Sequence, residues 1–126
     1  MSKPMKQEVM FHCGNAPKME RVIDLTLALA ERDAAAVNTH VREDFVWRTV
    51  GADDEITYDQ LADVLPSRPA VDKVTIENAL SHGNGAMYEG LLEFTDGDQL
   101  RFCMVVEFVN TGKDALAKAA HTYYAT

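Results

Sequence analysis

The sequence has few cysteines, no long apolar run and no signal sequence. Its two cysteines, Cys13 and Cys103, are far apart and belong to no Cys-x-x-Cys or mixed Cys/His spacing. We therefore expect reduced thiols and no metal site. No apolar run approaches the roughly 20 residues that a membrane-spanning helix needs, and no apolar signal core follows Lys3 and Lys6. These absences predict a cytoplasmic protein with no membrane partner.

Positive charge is scarce as well. The chain holds 12 Lys and Arg residues against 20 Asp and Glu residues, which gives a net charge of -8. Proteins that coat nucleic acid or an anionic membrane need clustered basic side chains. The charge balance argues against both partners and favours a small molecule or another protein. We expect no cofactor.

The length of the chain predicts a single domain. Its 126 residues are enough to bury a hydrophobic core, and they contain no internal repeat, low-complexity tract or linker. We expect one domain over residues 1–126, in which residues 1–13 form a polar N-terminal extension.

The first half of the chain is patterned mainly for helices. Asn15 is a suitable N-cap, and a helix with apolar residues at helical spacing should follow it. Asp33 can cap a second, short helix that runs to about Val41. The Thr57-Tyr58-Asp59-Gln60 sequence matches a capping box and predicts a third helix, which should end at about Leu65.

Strand patterning begins at Asp44–Gly51, which carries the only tryptophan, and resumes at Val71 with a period of two residues. Turns rich in Gly and Asn divide the rest into connected strands. The last run, 115–126, mixes helix-favouring alanines with strand-favouring residues, and the short turn before it favours a strand. The fold class predicted is α+β, with a curved antiparallel or mixed sheet wrapped around N-terminal helices. On the strand after Val71, alternation predicts one face made of Val74, Ile76, Asn78 and Leu80.

These elements carry a resemblance to a known family. The order of elements, the turn at Asp33, the strand Asp44–Gly51 and the strands around Phe102-Cys103…Glu107-Phe108 and Thr122-Tyr123 resemble the nuclear transport factor 2-like superfamily, and within it the SnoaL-like branch. The resemblance covers roughly residues 14 to 126. It implies a cystatin-like, cone-shaped α+β barrel with a pocket open at one end and dimers formed through the outer sheet face. The same cone serves enzymes and non-enzymatic binding modules, so the resemblance does not settle the function.

The isomerases of this superfamily offer a specific test, because they use a carboxylate base and two acidic donors around a developing enolate. This sequence departs from that pattern at all three positions. Arg48 stands where the base is expected, Leu25 where the tyrosine donor is expected, and Met104 where the protonated aspartate is expected. Isomerase chemistry of that design is therefore disfavoured.

A pocket remains plausible, and the residues predicted to bind its ligand are Trp47, Arg48, Tyr88, Met104, Val106 and His121. Arg48 has two interpretations. Inside an apolar cavity it would require a carboxylate partner or an anionic ligand, whereas on the outer face it would pair with an acidic neighbour such as Glu107. Trp47 is either core or ligand contact. His121 and Tyr123 are the candidates for catalysis, since histidine titrates near neutral pH.

Three functions stay open. The leading hypothesis is an uncharacterised SnoaL-like protein that binds a small apolar or weakly anionic ligand in a cone-shaped pocket. The second is a lyase, isomerase or cyclase that uses a histidine base. The third is a non-catalytic dimeric interaction module. Apolar Met87, Leu91 and Val105 lie among charged residues on the outer sheet face, and we expect a homodimer through that face.

Overall fold

The computed structural model describes residues 5–9, 17–52, 54–110 and 115–125, and at residues 9, 17–22 and 82 it describes the backbone only. One long helix, two short helices and seven strands make up these ranges. Single 3-10 turns at Tyr58–Gln60 and Leu65–Ser67 flank the third helix. In chain order the elements are β1 (Lys6–Val9), α1 (Pro17–Ala30), α2 (Ala34–Asn38), β2 (Val41–Thr49), β3 (Glu55–Thr57), α3 (Leu61–Val64), β4 (Val71–His82), β5 (Gly85–Phe94), β6 (Gln99–Phe108) and β7 (Ala117–Ala125).

The seven strands form one sheet in the order β1-β4-β5-β6-β7-β2-β3. Strands β4 to β7 are an antiparallel meander, β2 pairs with β7 in parallel, and β1 pairs with β4 in parallel. Helix α1 packs against β4 and β5. The α+β class, with a mixed sheet around N-terminal helices, is confirmed. None of the helices in the described ranges is long and apolar enough to cross a membrane.

The core lies between α1 and the inner face of the sheet. Helix α1 places Leu25 against the sheet with no exposed surface. Strands β5 and β6 follow the predicted alternation, with apolar side chains buried and Glu89, Arg101 and Glu107 exposed. The largest fully buried side chains are Tyr88, Phe45, Phe108, Leu25, Leu61, Leu65 and Ile76.

Several boundaries differ from the predictions. Helix α2 ends at Asn38, earlier than predicted, because β2 begins at Val41 and pairs with β7 there. The segment predicted as an acidic loop contains β3, an edge strand held by pairing to β2. The predicted N-terminal extension contains β1, which pairs with the edge of β4. Both short strands depend on a distant partner, which local patterning does not reveal. The predicted cap Asn15 lies outside the described residues.

The face predicted for the second half of β4 is wrong. The pairing of β4 with β5 shifts register between Ile76 and Asn78. This irregularity reverses the alternation, as a β-bulge does. Ala79 is buried in consequence, while Leu80 is 62% exposed on the outer face.

The last run is a strand, as predicted. Ala117–Ala125 pairs with β6 on one side and β2 on the other, and this two-sided pairing overrides the helix propensity of the alanines. Register shifts near Ala117 in both pairings put Ala120 and Thr122 on the buried face. The turn residues 111–114 lie outside the described ranges.

Candidate functional site

A small cavity lies between the C-terminal half of α1 and the inner face of the sheet. Its volume is about 30 Å³, which is room for about one water molecule. An organic ligand therefore has to displace side chains at the cavity mouth or insert only part of its body. The lining comes from α1 and the turn after it, from β2 and from β5 to β7: Thr26, Leu29, Ala30, Arg32, Trp47, Tyr88, Leu92, Phe102, Met104, Thr122 and Tyr124.

Hydrogen bonds fix the orientation of Trp47 in the cavity wall. Its indole Nε1 donates to the Thr122 hydroxyl oxygen at 2.8 Å, and the Thr122 hydroxyl donates to the Met104 sulfur at 3.1 Å. Trp47 and Thr122 are on adjacent parallel strands, where they are offset by two residues in the pairing. The only polar atom of the indole is thereby satisfied, so Trp47 offers a ligand an apolar ring surface.

Tyr88 contributes a buried hydroxyl to the same lining. Its oxygen has no hydrogen-bond partner among the described residues. Burial raises the pKa of Tyr88 well above its usual value, and a polar contact with Thr26, which falls outside hydrogen-bond geometry, opposes that rise only in part. The ring packs edge-on against Phe102, with centroids 5.8 Å apart. Tyr88 therefore presents a neutral hydroxyl that is free to bond a guest.

The mouth of the cavity carries Arg32, in an unusual backbone conformation. The amide of Asp33 donates to the Ala28 carbonyl at 3.1 Å and that of Arg32 to the Leu29 carbonyl at 3.1 Å, the two bonds of a Schellman motif that ends α1. Arg32 occupies the left-handed position of this motif, with φ of 60°, where glycine is usual. Asp33 then caps α2, as predicted, by accepting from the Ala36 amide at 3.1 Å.

The guanidinium of Arg32 ties the end of α1 to the segment after α3. Its Nη1 donates to the Leu29 carbonyl at 3.1 Å, and its Nε and Nη2 both donate to the Pro69 carbonyl, at 3.2 and 3.1 Å. Burial lowers the pKa of Arg32, and the nearby charge of Arg68 lowers it further. The group remains charged, since arginine does not deprotonate in proteins.

Arg68 is the second arginine at the mouth. Its guanidinium carbon lies 4.8 Å from the centroid of the Trp47 ring, in cation–π geometry. Nη2 is 3.6 Å from a carboxylate oxygen of Asp54. The buried Nε has no hydrogen-bond partner in the described part of the chain. The charges of both arginines act on Tyr124. Burial raises the pKa of Tyr124, whereas Arg68 and Arg32 lower it.

The structure brings together three of the six residues predicted to bind ligand, namely Trp47, Tyr88 and Met104. Val106 is fully buried on the inner face but does not line the cavity. The other predicted residues lie elsewhere.

Arg48 lies on the outer face and not in the cavity. Its Nε donates to Glu55 Oε2 at 3.0 Å, so the outward interpretation is correct but the partner is Glu55 and not Glu107. The reason is the pairing of β2 with β3, which sets Arg48 directly opposite Glu55. The arginine therefore has a surface partner and needs no anionic ligand.

His121 and Tyr123 also lie on the outer face. The Nε2 of His121 is 4.0 Å from Glu107 Oε1, and Tyr123 is 47% exposed. The register shift near Ala117 explains their position, because it turns Thr122 and Tyr124 inward in their place. Neither candidate for catalysis reaches the cavity.

The sequence interpretation missed five polar residues at or near the cavity: Thr26, Arg32, Arg68, Thr122 and Tyr124. Arg32 had a signal, because it stands between the end of α1 and the N-cap residue Asp33 of α2, where glycine is expected. Arg68 had none, since it belongs to a connecting segment that reaches Trp47 only in the folded chain. No group of three or more His, Cys, Asp or Glu side chains in the described ranges is placed to hold a metal ion.

Comparison with solved structures identifies the architecture. A protein described as a SnoaL-like polyketide cyclase from Shewanella denitrificans is 12% identical, with a TM-score of 0.73 over 88% of this chain and 92% of its own. A nuclear transport factor 2-like protein of unknown function from Burkholderia xenovorans is 15% identical, with a TM-score of 0.74 over 90% of this chain and 87% of its own. The chain has the nuclear transport factor 2-like fold of the SnoaL-like proteins.

A third structural neighbour is described differently. A ketosteroid isomerase-like protein from Erwinia carotovora is 18% identical, with a TM-score of 0.63 over 92% of this chain and 99% of its own. At these identities the likeness shows the nuclear transport factor 2-like fold and no particular activity. No protein-family model and no curated protein matches the sequence.

Proposed function

We propose that the protein binds a small organic molecule in the cavity between α1 and the sheet. The observation that carries this proposal is the buried Tyr88 hydroxyl, which lines the cavity and has no hydrogen-bond partner in the described part of the chain. An unsatisfied buried hydroxyl costs about 1–3 kcal/mol of stability. A ligand that forms a hydrogen bond with this hydroxyl removes that cost, and this gain adds to its affinity.

The lining favours binding over acid–base catalysis. The described residues that line the cavity include no aspartate, glutamate or histidine, and burial keeps Tyr88 protonated. His121, the base of the alternative lyase, isomerase or cyclase, lies on the opposite side of the sheet. We therefore place ligand binding ahead of a histidine-based reaction.

The proposal can be tested through Trp47, which gives the only indole N–H resonance of the protein. A fragment library is screened by NMR for compounds that move this resonance. We expect Tyr88→Phe to weaken the binding of oxygen-bearing hits about tenfold, which corresponds to about 1.4 kcal/mol. Tyr123→Phe, on the outer face, is the control. Hits whose affinity is the same in Tyr88→Phe and in wild type would contradict a role for this hydroxyl.

We also propose a homodimer through the outer sheet face, because apolar side chains form a row across three strands there. Leu80 pairs with Met87 and Met87 with Val105, and Leu80 and Met87 are 62% and 42% exposed. A hollow of about 460 Å³ surrounds them. Water-exposed apolar rows of this kind are typical of sheet-to-sheet interfaces.

Sedimentation equilibrium at micromolar concentration tests the dimer. We expect a mass of two chains for the wild type and of one chain for Met87→Glu, which buries a charge in the interface. Glu89→Gln, which lies on the same strand and face, is the control. A wild-type mass of one chain would rule out the dimer without affecting the cavity.

A further inference from the structure

We propose that the mouth of the cavity is a carboxylate-binding site, in which Arg32 and Arg68 bind the acid group of a small molecule whose apolar body lies against Trp47. The proposal rests on the proposed function, and it adds the chemical class of the ligand. Three features carry it: an unused donor on Arg68, an Arg32 held by three hydrogen bonds, and the placement of two guanidinium groups beside an apolar cavity.

Arg68 has the donor edge that a carboxylate requires. A carboxylate binds a guanidinium through two parallel N–H bonds, commonly from Nε and one terminal nitrogen. The Nε of Arg68 is buried and unpartnered among the described residues, and its Nη2 is 3.6 Å from Asp54, which is longer than a hydrogen bond. The Nε and Nη2 donors of Arg68 therefore remain available to an acceptor. Leaving a buried donor without an acceptor destabilises the free protein.

Arg32 supplies a second, pre-positioned charge. Three of its five N–H groups are bonded to the carbonyls of Leu29 and Pro69, which leaves two N–H groups for another acceptor. These bonds hold the guanidinium at the cavity edge. The left-handed backbone of Arg32 is strained for a residue that has a side chain, and glycine would be less strained at this position.

The local charges favour an anion. Arg32, Arg68 and Tyr124 lie close enough to influence one another, and Asp54 also acts on Tyr124. Among the described residues, the ion-pair partner of these two guanidinium groups is Asp54, 3.6 Å from Arg68 Nη2. The two arginines repel each other, and a bound carboxylate removes that repulsion while satisfying Arg68 Nε.

The shape of the site favours an acid with an apolar body. Trp47 offers a ring whose only polar atom is already bonded to Thr122, and Arg68 covers that ring at 4.8 Å. The cavity holds about one water molecule, so binding of such an acid requires Arg68 or Tyr124 to move aside next to the indole. A carboxylate at the mouth then places the body of the molecule against Trp47, facing the Tyr88 hydroxyl within the cavity lining.

The experiment compares phenylacetate with its neutral analogue phenylacetamide. Both are titrated into the full chain while the Trp47 indole resonance is monitored by NMR and affinity is measured by calorimetry. We expect phenylacetate to bind at least about tenfold more tightly than phenylacetamide, since the amide carries no charge.

Two variants assign the preference to the arginines. Arg68→Met keeps the length and apolar stem of the side chain, and Arg32→Gly introduces the residue that the Schellman position favours, so this variant should fold. Each should reduce the preference for phenylacetate to about threefold or less. Arg101→Met is the control, because Arg101 pairs with Glu77 on the outer face.

The outcomes separate the two proposals. Equal affinities for the acid and the amide, with a shift of the Trp47 resonance, would overturn the carboxylate site and leave ligand binding intact. If neither compound moves this resonance at millimolar concentration, the carboxylate site fails, and ligand binding is then decided by the fragment screen with Tyr88→Phe. A preference for the acid that persists in Arg68→Met and Arg32→Gly would place the anion site elsewhere.

Discussion

Replacing Tyr88 with phenylalanine should stabilise the free protein. The change removes one oxygen atom that is buried and has no hydrogen-bond partner in the described chain, while the ring and its edge-on packing on Phe102 remain. Leaving a hydroxyl unsatisfied costs about 1–3 kcal/mol. A contact with Thr26 recovers part of that cost, so we expect a gain of about 1 kcal/mol, or about 4 °C in melting temperature for a domain of this size.

Urea denaturation and calorimetry of wild type and Tyr88→Phe measure this difference in the absence of ligand. Tyr123→Phe, which changes an exposed tyrosine, should stay within about 0.5 kcal/mol of wild type. A loss of 1 kcal/mol or more in Tyr88→Phe would show that the hydroxyl is well bonded in the free protein. In that case the Tyr88 hydroxyl has no free hydrogen-bonding position to offer a ligand.

Two further predictions concern the same cavity. Thr122→Val removes the acceptor of the Trp47 indole N–H and should destabilise the protein by about 2 kcal/mol in urea denaturation; a change below about 0.5 kcal/mol would contradict that bond. Because burial raises the pKa of Tyr88, the tyrosine stays protonated in the folded protein but ionises in the unfolded chain above its pKa of about 10, so stability falls as pH rises past 10. Wild type should therefore lose up to about 1.4 kcal/mol more per pH unit above pH 10 than Tyr88→Phe, and parallel stability curves for the two proteins would refute this.

Much of the fold follows from local patterns. Residues close together in the sequence determine three of its features. These are the 3.6-residue period of α1, the Asp33 cap of α2 and the alternation along β5 and β6. Each is set by short-range sterics and by one-sided burial, so the sequence predicts it. The Gln60 side chain also accepts from the Thr57 amide at 2.9 Å, as its capping box predicts.

The parts that the sequence does not reveal depend on pairing between distant segments. A register shift in β4 turns Leu80 outward, and another near Ala117 turns Tyr124 inward in place of His121. A shift of one residue reverses every side chain that follows it. The alternation that predicts β5 correctly therefore misplaces Leu80 and His121.

The candidate site was only partly predictable for the same reason. Trp47, Tyr88 and Met104 were identified because aromatic and apolar residues on inward positions of strands face the core. Arg32 and Arg68 come from connections after α1 and after α3, and they meet Trp47 and Tyr124 only through the tertiary fold. The sequence predicts an anionic ligand from Arg48, but Arg48 has Glu55 as its partner. The proposed carboxylate site uses Arg32 and Arg68 instead.

The most direct measurement is a crystal structure of the protein grown with phenylacetate. If the cavity mouth binds carboxylates, the acid group will lie within hydrogen-bond distance of Arg68 Nε and of an Arg32 terminal nitrogen, and the phenyl ring will contact Trp47. A phenylacetate molecule in the outer hollow beside Met87, or one in the cavity whose carboxylate faces solvent away from both arginines, would contradict the proposed site.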